Sequence, residues 1–306
     1  MKIAFFTEME FQGKIPRNHP NMRVEFAWMC ALEADHYNIK SPLLEKYDLG
    51  IVIIPKKNPD FNIDDLKLNC KKVAVMQEGP NWYWQDYDLS KQIWYYNTLT
   101  SSDIIFTHNE IDKKYYQGLT DHHDVRVLQS LMIEDAIGEV QNVERKGVII
   151  GGNFVSWYGG FDSFSIAQEI DNGQVYAPSM GRRQSNEEQL LTHLPYLDWK
   201  QWIHTLNQFK YGIHLMRTHA AGTFALNCSY LGIPCIGYEG LDTQHILHPN
   251  LTVELGDLQT ARKIALKLKN NLDFYQEQSI LTKQLYQEKY HENIFNPTFK
   301  KQFKIS

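Results

Sequence analysis

Two loops of small residues separate apolar runs from helical patterns, at positions where a parallel sheet could bind an anion. One is Gly151, Gly152 and Asn153, directly after an apolar run. The other, Ala220–Thr223, precedes a helix predicted over 224–231. Helix amino ends carry N–H groups without internal partners and the positive end of the helix dipole, so both loops could bind a diphosphate through backbone amides. The same residues also fit an ordinary strand, turn and helix without a ligand.

Arginine side chains could neutralise such a diphosphate. Arg217 follows a predicted strand, and Arg182 and Arg183 lie in the segment SMGRRQ. A guanidinium group can bind two phosphate oxygens at once, which suits it to this role better than lysine. Arg182 and Arg183 fit an exposed surface equally well, so Arg217, close to His219, is the favoured candidate.

Short apolar runs alternate with helical patterns along the chain, which is typical of parallel sheets covered by helices on both faces. The first half predicts strands over 2–6, 49–55, 72–76, 103–107 and 125–128 and a helix over 22–34. The second half predicts strands over 148–151, 174–177, 211–216, 235–238 and 251–254 and helices over 186–194, 200–208, 224–231 and 258–270. The pattern therefore predicts two Rossmann-like units in tandem.

A polar segment without apolar periodicity, Val140–Lys146, separates the two predicted units. We expect an amino-terminal domain over 1–140, a second domain over 147–272 and a helical segment over 273–306. The last segment mixes polar and aromatic residues, and a helix of that kind needs a surface to cover. The first domain is the nearest candidate for that surface.

Composition excludes several classes of protein. Of the 306 residues 43% are hydrophobic, which is enough for two cores, and no apolar run reaches the length of a membrane span. The net charge of −5 gives no general attraction for nucleic acid. The 4 cysteines lack CxxC spacing and fit buried thiols in a reducing compartment. We expect a cytoplasmic monomer.

One motif carries a resemblance to a known class of enzymes. The run Asn227-Cys-Ser-Tyr-Leu-Gly232-Ile-Pro234-Cys-Ile resembles Glu-Ala-x-Ala-x-Gly-x-Pro-Val-Ile of the GT-B glycosyltransferases, whose glutamate binds the ribose of a nucleotide-sugar. Gly232 and Pro234 match, whereas Asn227 replaces that glutamate and His219 replaces a second glutamate of the retaining members. The resemblance implies an α/β fold of two tandem Rossmann-like domains (GT-B), with an interdomain cleft and a C-terminal helix crossing back.

The resemblance also implies that a nucleotide-sugar, most simply a UDP-sugar, is the co-substrate and that no cofactor is required. Asn227 could bind the ribose diol, and His219, as a catalytic residue, could donate to a phosphate or sugar hydroxyl. Tyr196 could stack on the nucleobase or pack against a helix. The implied donor site comprises Gly151, Gly152, Asn153, Arg182, Arg183, Tyr196, Leu197, Arg217, Gly222, Thr223, Asn227 and Glu239.

Glu78 is the favoured catalytic base. The run Lys71–Glu78 resembles the strand after which inverting phage DNA glucosyltransferases place their catalytic aspartate, and 148–156 resembles the first strand and glycine loop of their donor domain. This looser resemblance points to a bacterial or phage-infected cell. A solvated loop glutamate is the alternative reading of Glu78, and Asp86 and Asp103 are lesser candidates for the base.

The acceptor side carries less specific signals. Gly13 and Lys14 lie in a loop after the first predicted strand, and Trp82 and Trp84 belong to a dense aromatic run. Aromatic rings stack on sugars and on unpaired bases alike, and core packing explains them equally well. These four residues are the predicted acceptor contacts, but they do not identify the acceptor.

The sequence therefore predicts a metal-independent glycosyltransferase. It contains no convincing Asp-x-Asp motif, and the pairs His122-His123 and His245-x-x-His248 lack a third ligand nearby. The acceptor could be a hydroxymethylated pyrimidine in phage-type DNA, a glycan or a small molecule, and the negative charge suits the last two better. An epimerase-like enzyme and a non-catalytic nucleotide-sugar-binding protein stay open as alternatives.

Overall fold

The structure, a computed structural model, describes residues 1–42, 45–56, 61–121, 124–152, 154–171, 173–179 and 191–303. Asn153, Arg182 and Arg183, which the sequence predicts to bind the donor, lie outside the described residues. The described part of the chain forms two lobes, each built on a parallel sheet.

The first lobe alternates strands and helices. Its strands are β1 (Ile3–Thr7), β2 (Asp35–Asn38), β3 (Tyr47–Ile53), β4 (Cys70–Met76), β5 (Ile104–Thr107) and β6 (Val125–Val127), and its helices are α1 (Val24–Ala31), α2 (Ile63–Lys67), α3 (Leu89–Ser101) and α4 (Glu110–Thr120). The strands form one parallel sheet in the order β2-β1-β3-β4-β5-β6. All of their carboxyl ends therefore meet at one edge.

The second lobe repeats this scheme. Its strands are β7 (Val148–Ile150), β8 (Val175–Pro178), β9 (Leu191–Leu194), β10 (Tyr211–His214), β11 (Cys235–Tyr238) and β12 (Thr252–Val253), and its helices are α5 (Gly160–Ile170), α6 (Trp199–Leu206), α7 (Thr223–Leu231), α8 (Asp242–Leu247) and α9 (Leu258–Asn270). The order of its parallel sheet is β12-β11-β10-β7-β8-β9. Two tandem Rossmann-like sheets confirm the predicted fold class.

The central strands are apolar along their whole length because helices cover both faces of each sheet. Ile51, Val52, Ile149 and Ile213 are completely buried. Each such side chain stabilises the folded chain by roughly 1.5–3 kcal/mol relative to an exposed position. Among the described residues, no helix combines the length and the apolar character that crossing a membrane requires.

The helix predicted over 186–194 is wrong in its described part. Leu191–Leu194 forms β9 and pairs in parallel with β8, Val175 opposite Leu191 and Pro178 opposite Leu194. The spacing of leucines fits a helical face, but pairing at the sheet edge satisfies the backbone groups of this segment and buries Leu191. Residues 186–190 lie outside the described part of the chain.

Two helices follow the second lobe, α10 (Leu272–Lys289) and α11 (Glu292–Gln302). Helix α11 lies against the first lobe, where the rings of Phe299 and Phe106 are 6.4 Å apart and Arg126 donates to the carbonyl of Gln302 at 2.8 Å. Arg17 binds both carboxylate oxygens of Glu292, at 2.8 and 2.7 Å. The carboxyl-terminal segment thus crosses back to the first lobe, as predicted.

Candidate active site

A cavity of about 300 Å³ lies in the cleft between the lobes. The first lobe contributes the amino end of α1 and the segments that follow β3, β4 and β5, and the second lobe contributes the segments around β7, β10 and α7. Strand carboxyl ends and helix amino ends meet here, which is where α/β folds bind ligands. The lining residues include Arg23, Glu25, Lys56, Glu78, His108, Gly152, Tyr196, Leu197, His214, Gly222, Thr223 and Asn227.

The amino end of α7 forms one wall of the cavity. Gly222 has a φ of +64° and caps this helix, and its carbonyl accepts from the hydroxyl of Thr243 at 2.9 Å. A β-carbon at Gly222 would come within 2.0 Å of that hydroxyl oxygen, so only glycine fits. The N–H groups of Thr223 and its neighbours belong to the first turn, where a helix lacks internal acceptors. This wall can bind an anion.

His214 lies behind that wall, at the end of β10. Its side chain is 6% exposed, and neither ring nitrogen has a hydrogen-bond partner among the described residues. Burial lowers the pKa of His214 to about 4, so the ring is neutral at pH 7. A neutral imidazole carries one N–H donor and one acceptor, and here both are left for a ligand.

Gly151 is the reason that this ring fits. Its N–H donates to the carbonyl of Ile213 at 2.8 Å, so this amide is not available to a diphosphate as predicted. Gly151 has no β-carbon, and the ring of His214 occupies the space where a β-carbon would lie. Gly152 lines the cavity itself and has a φ of +73°.

His108, the first residue after β5, is a second buried histidine that lines the cavity, here from the first lobe. Its ring stacks on Trp28 with centroids 5.5 Å apart, it is 6% exposed, and both ring nitrogens lack partners within the described residues. Burial lowers the pKa of His108 to about 4. Neither histidine was predicted. The signal that could have found them is a polar residue directly at the end of an apolar strand.

Glu78 lies just beyond β4, in the cavity, as one of a pair of carboxyl groups. Burial alone would raise the pKa of Glu78, but a hydrogen bond from Glu25 and the positive charge of Lys56, 2.9 Å away, hold it below its ordinary value. Burial and then the charge of Glu78 raise the pKa of Glu25 well above its ordinary value. These opposite shifts favour the arrangement in which Glu25 carries the shared proton and donates it to the carboxylate of Glu78. Glu25 and Lys56 were not predicted.

Tyr196 connects the two lobes at the rim of the cavity. Its hydroxyl accepts from the guanidinium of Arg23 at 2.7 Å, and that guanidinium lies 5.5 Å from the ring centre. Its neighbour Leu197 lines the cavity, as does Asn227 on α7, which is 4% exposed. These three residues stand where a nucleotide in the cavity could contact them.

Three other predicted donor-side residues do not line the cavity. Arg217 is paired with Asp162, its Nε and Nη2 lying 3.0 and 2.8 Å from one carboxylate oxygen that also accepts from Tyr238. Glu239 is exposed. His219 lies 3.5 Å from Asp112. The paired cation, Arg217, is therefore not free to bind a diphosphate in this conformation.

The predicted acceptor contacts are also dispersed, and none of them lines this cavity. Trp84 is 1% exposed and donates to Gln77 at 2.7 Å, so it is a core residue. Gly13 exchanges two backbone hydrogen bonds with His36, and Lys14 is exposed. An aromatic run does not reveal which of its rings are buried, and this explains the wrong interpretation of Trp84.

Trp82 instead lies at the cleft between the lobes. Its ring centre is 6.0 Å from that of Trp157 in the second lobe.

Among the described residues, no group of three or more histidine, cysteine, aspartate or glutamate side chains could hold a metal ion.

Asn109, in the first lobe, forms hydrogen bonds to the second lobe beside the cavity. Its amide donates to the carbonyl of Ala220 at 2.9 Å and to Asp112 at 3.1 Å, and its carbonyl oxygen accepts from the N–H of Asp242 at 2.9 Å. Ala220 lies just before the capping residue Gly222. The position of the α7 amino end therefore depends on a residue of the first lobe.

Comparison with solved structures shows that this fold is that of the GT-B glycosyltransferases. Sucrose-phosphate synthase from Thermosynechococcus elongatus superposes with a TM-score of 0.69 at 9% identity, covering 99% of this chain and 98% of that one. An α-glucosyltransferase in complex with UDP and a 13-mer DNA containing an HMU base gives 0.64 at 11% identity, over 99% of each chain.

TarM from S. aureus, a mutant of which was solved with fondaparinux, α-GlcNAc-glycerol and UDP, gives a TM-score of 0.62 at 11% identity. That match covers 83% of this chain and 55% of TarM, so the chain spans about half the length of that protein. No protein-family model and no curated protein sequence matches the chain.

Proposed function

We propose that the protein is a glycosyltransferase that moves a sugar from a UDP-sugar to an acceptor hydroxyl. The observation that carries the proposal is the cavity itself, which combines a helix amino end and His214 on one side with the Glu25–Glu78 pair on the other. The UDP in the complexes of TarM and of the α-glucosyltransferase supports the choice of donor.

The donor would lie along the second lobe. Its diphosphate would accept from amides of Gly222 and Thr223 at the start of α7. Asn227 would bind the ribose, and Tyr196 and Leu197 would contact the base. Gly151 supports this site through His214, and the roles of Asn153, Arg182, Arg183 and Glu239 stay predictions.

His214 and Lys56 extend this donor site toward the sugar. His214 offers a neutral donor and acceptor to sugar hydroxyls or phosphate oxygens. Among the described residues, Arg23 and Lys56 are the cations that line the cavity, and Lys56 is also paired with Glu78.

The transfer itself needs a group that takes the proton of the acceptor hydroxyl. In the proposed reaction the acceptor oxygen bonds to the anomeric carbon, the bond from that carbon to the diphosphate oxygen breaks, and UDP leaves with the electron pair. The hydroxyl proton passes to Glu78, the ionised member of the pair, which is thus the general base. Glu25 and Lys56 position this carboxylate.

Binding and turnover of UDP-glucose, UDP-N-acetylglucosamine and GDP-mannose test the proposal. We expect the wild-type protein to bind UDP in calorimetry and to release it from at least one UDP-sugar. Glu78→Gln should lower turnover by roughly 10²- to 10⁴-fold with UDP affinity unchanged, because only the proton transfer is lost. Glu277→Gln, at an exposed position of α10, is the matched control. Absence of UDP binding, or full turnover in Glu78→Gln, would contradict the proposal.

A non-catalytic nucleotide-sugar-binding protein is the second candidate. It is favoured by Asn227 and His219, which stand where retaining glycosyltransferases carry glutamates, and by the position of His219 outside the cavity. Tight UDP-sugar binding without any release of UDP would support this candidate.

A further inference from the structure

A second cavity of about 300 Å³ lies within the first lobe, next to the first cavity. It sits at the carboxyl ends of β1 and β3, beside the amino end of α1. Four residues line both cavities: Arg23, Glu25, Lys56 and Glu78. The carboxyl pair therefore stands at the junction of the two spaces, where a donor in one would meet a molecule in the other.

The charges around this second cavity balance. Among the described residues, its ionisable lining comprises Glu8, Glu25 and Glu78 with Arg23 and Lys56, and burial together with Glu78 favours the neutral form of Glu25 by raising its pKa. The other two described carboxylates match the two described cations. Burying a charged molecule in a charge-balanced site costs its hydration without a compensating partner, so an uncharged ligand is favoured.

The remaining lining suits a ring that carries hydroxyl groups. Carboxylate and amide oxygens of Glu8 and Asn21 can accept from hydroxyls, and the partly buried Met9 and Phe26 offer apolar surface to the C–H face of such a ring. A volume of about 300 Å³ lies at the lower end of the range for ligand pockets. One small unit fits inside, whereas an extended polymer would have to project from the mouth.

We propose that this second cavity is the acceptor subsite and that it takes one uncharged sugar or polyol, whose attacking hydroxyl lies beside Glu25 and Glu78. The inference rests on the proposed function and names its acceptor class. The hydroxyl proton goes to Glu78, the new glycosidic bond forms across the junction, and UDP departs on the side of the second lobe. A nucleobase presented by DNA is disfavoured, because the described lining offers no excess of positive charge to a polyanionic backbone and the chain carries a net charge of −5.

Met9 allows a test by volume, since it lines the second cavity and not the first. Transfer from UDP-glucose would be measured to glycerol, methyl α-glucoside, N-acetylglucosamine and a 13-mer duplex containing 5-hydroxymethyluracil. We expect transfer to at least one uncharged sugar or polyol. Met9→Trp should raise the acceptor KM by roughly tenfold or more while UDP affinity stays unchanged, because only acceptor binding is blocked. Met9→Ala, the matched control, should retain the acceptor.

Glu8→Gln provides a second measurement that does not depend on folding around a larger side chain. It keeps the shape of Glu8 and an oxygen for the N–H of Lys56, 3.0 Å away, but removes a carboxylate from the cavity. We expect a raised acceptor KM here too. If the wild-type protein fails to bind UDP, the proposed function itself is wrong. If UDP binds but neither variant changes acceptor kinetics, or only the DNA is glucosylated, the acceptor subsite alone is overturned.

Discussion

The imidazole ring of His214 lies so close to Gly151 that a β-carbon at the glycine would come within 2.5 Å of the ring. The carboxyl end of β10 can therefore carry a histidine under the cleft only because its neighbouring strand β7 is followed by a glycine. The position of the His214 ring in the cleft depends on this contact.

Gly151→Ala should displace His214. We expect the free energy of unfolding to fall by about 1–3 kcal/mol, as is common when a packed site receives an extra carbon atom, and the affinity for UDP-sugar to fall with it. Gly118→Ala in α4 is the control, because nothing lies within 4 Å of its β-carbon position. Denaturant unfolding and calorimetry measure both effects, and unaltered sugar-nucleotide affinity in Gly151→Ala would count against the role of His214.

His214→Phe should separate binding from stability. Phenylalanine keeps the planar ring but offers no hydrogen bonds, so UDP-sugar affinity should drop by roughly tenfold while stability stays the same or rises. His248, which is also buried, donates from Nε2 to the carbonyl of Ala225 and shares a hydrogen bond between Nδ1 and the hydroxyl of Thr282. His248→Phe should therefore destabilise the protein by about 1–3 kcal/mol. A large stability loss in His214→Phe would show that its ring nitrogens have structural partners.

Mild acid should destabilise the protein through its buried histidines. Burial lowers the pKa values of His108, His214 and His248 from 6.5 to about 4. As the pH falls below 6.5, these histidines become protonated in the unfolded chain but stay neutral in the native one. The free energy of unfolding therefore declines until about pH 4. The loss is on the order of 3 kcal/mol for each histidine. Unfolding measured between pH 7 and 4 should show a shallower decline in His214→Phe than in the wild type.

Glu25→Gln should stabilise the protein at neutral pH. Below about pH 4.5 Glu25 is protonated in both the native and the unfolded chain, so the variant gains nothing there. Above that pH the unfolded glutamate ionises while the native one keeps its proton, and the wild type loses stability until its raised pKa is reached. Glutamine never ionises, and its amide can still donate to Glu78. Urea unfolding at pH 5 and pH 7 measures the difference. A variant no more stable at pH 7 would refute the raised pKa.

Asn109→Asp should loosen the lobes. The change replaces the donor to Ala220 by an acceptor and adds a carboxylate beside Asp112, so we expect a loss of about 1–3 kcal/mol and weaker UDP binding through the displaced amino end of α7. The exposed Asn97→Asp on α3 is the control. Equal UDP affinity in Asn109→Asp and the wild type would mean that the first lobe does not position α7.

The strands and the placement of Glu78 follow from local sequence. Continuous apolar runs have few alternatives to a covered parallel strand, so β11 over 235–238 and α9 over 258–270 have their predicted bounds. The first residues after such a strand emerge at the carboxyl edge of the sheet, and this holds for Glu78, the second residue after β4. Leu191–Leu194 shows the limit, because its backbone partner, β8, is not encoded within the segment.

The partners of Glu78 could not be predicted in the same way. Glu25 lies in the first turn of α1, where a glutamate is ordinary, and Lys56 follows a different strand. Only the tertiary fold brings the amino end of α1 and the segment after β3 to the carboxylate of Glu78. Similarly, whether Arg217 is free or bound to Asp162 depends on the position of α5, which is far from it in sequence.

The backbone passes between the lobes twice, once from β6 to β7 and again from α10, beside α7, to α11. The second passage is secured by the double contact of Arg17 with Glu292. Two separate connections hinder twisting of one lobe against the other more than bending about the line that joins the connections. We therefore expect any closing of the cleft to occur mainly by rotation about the line between the two connections.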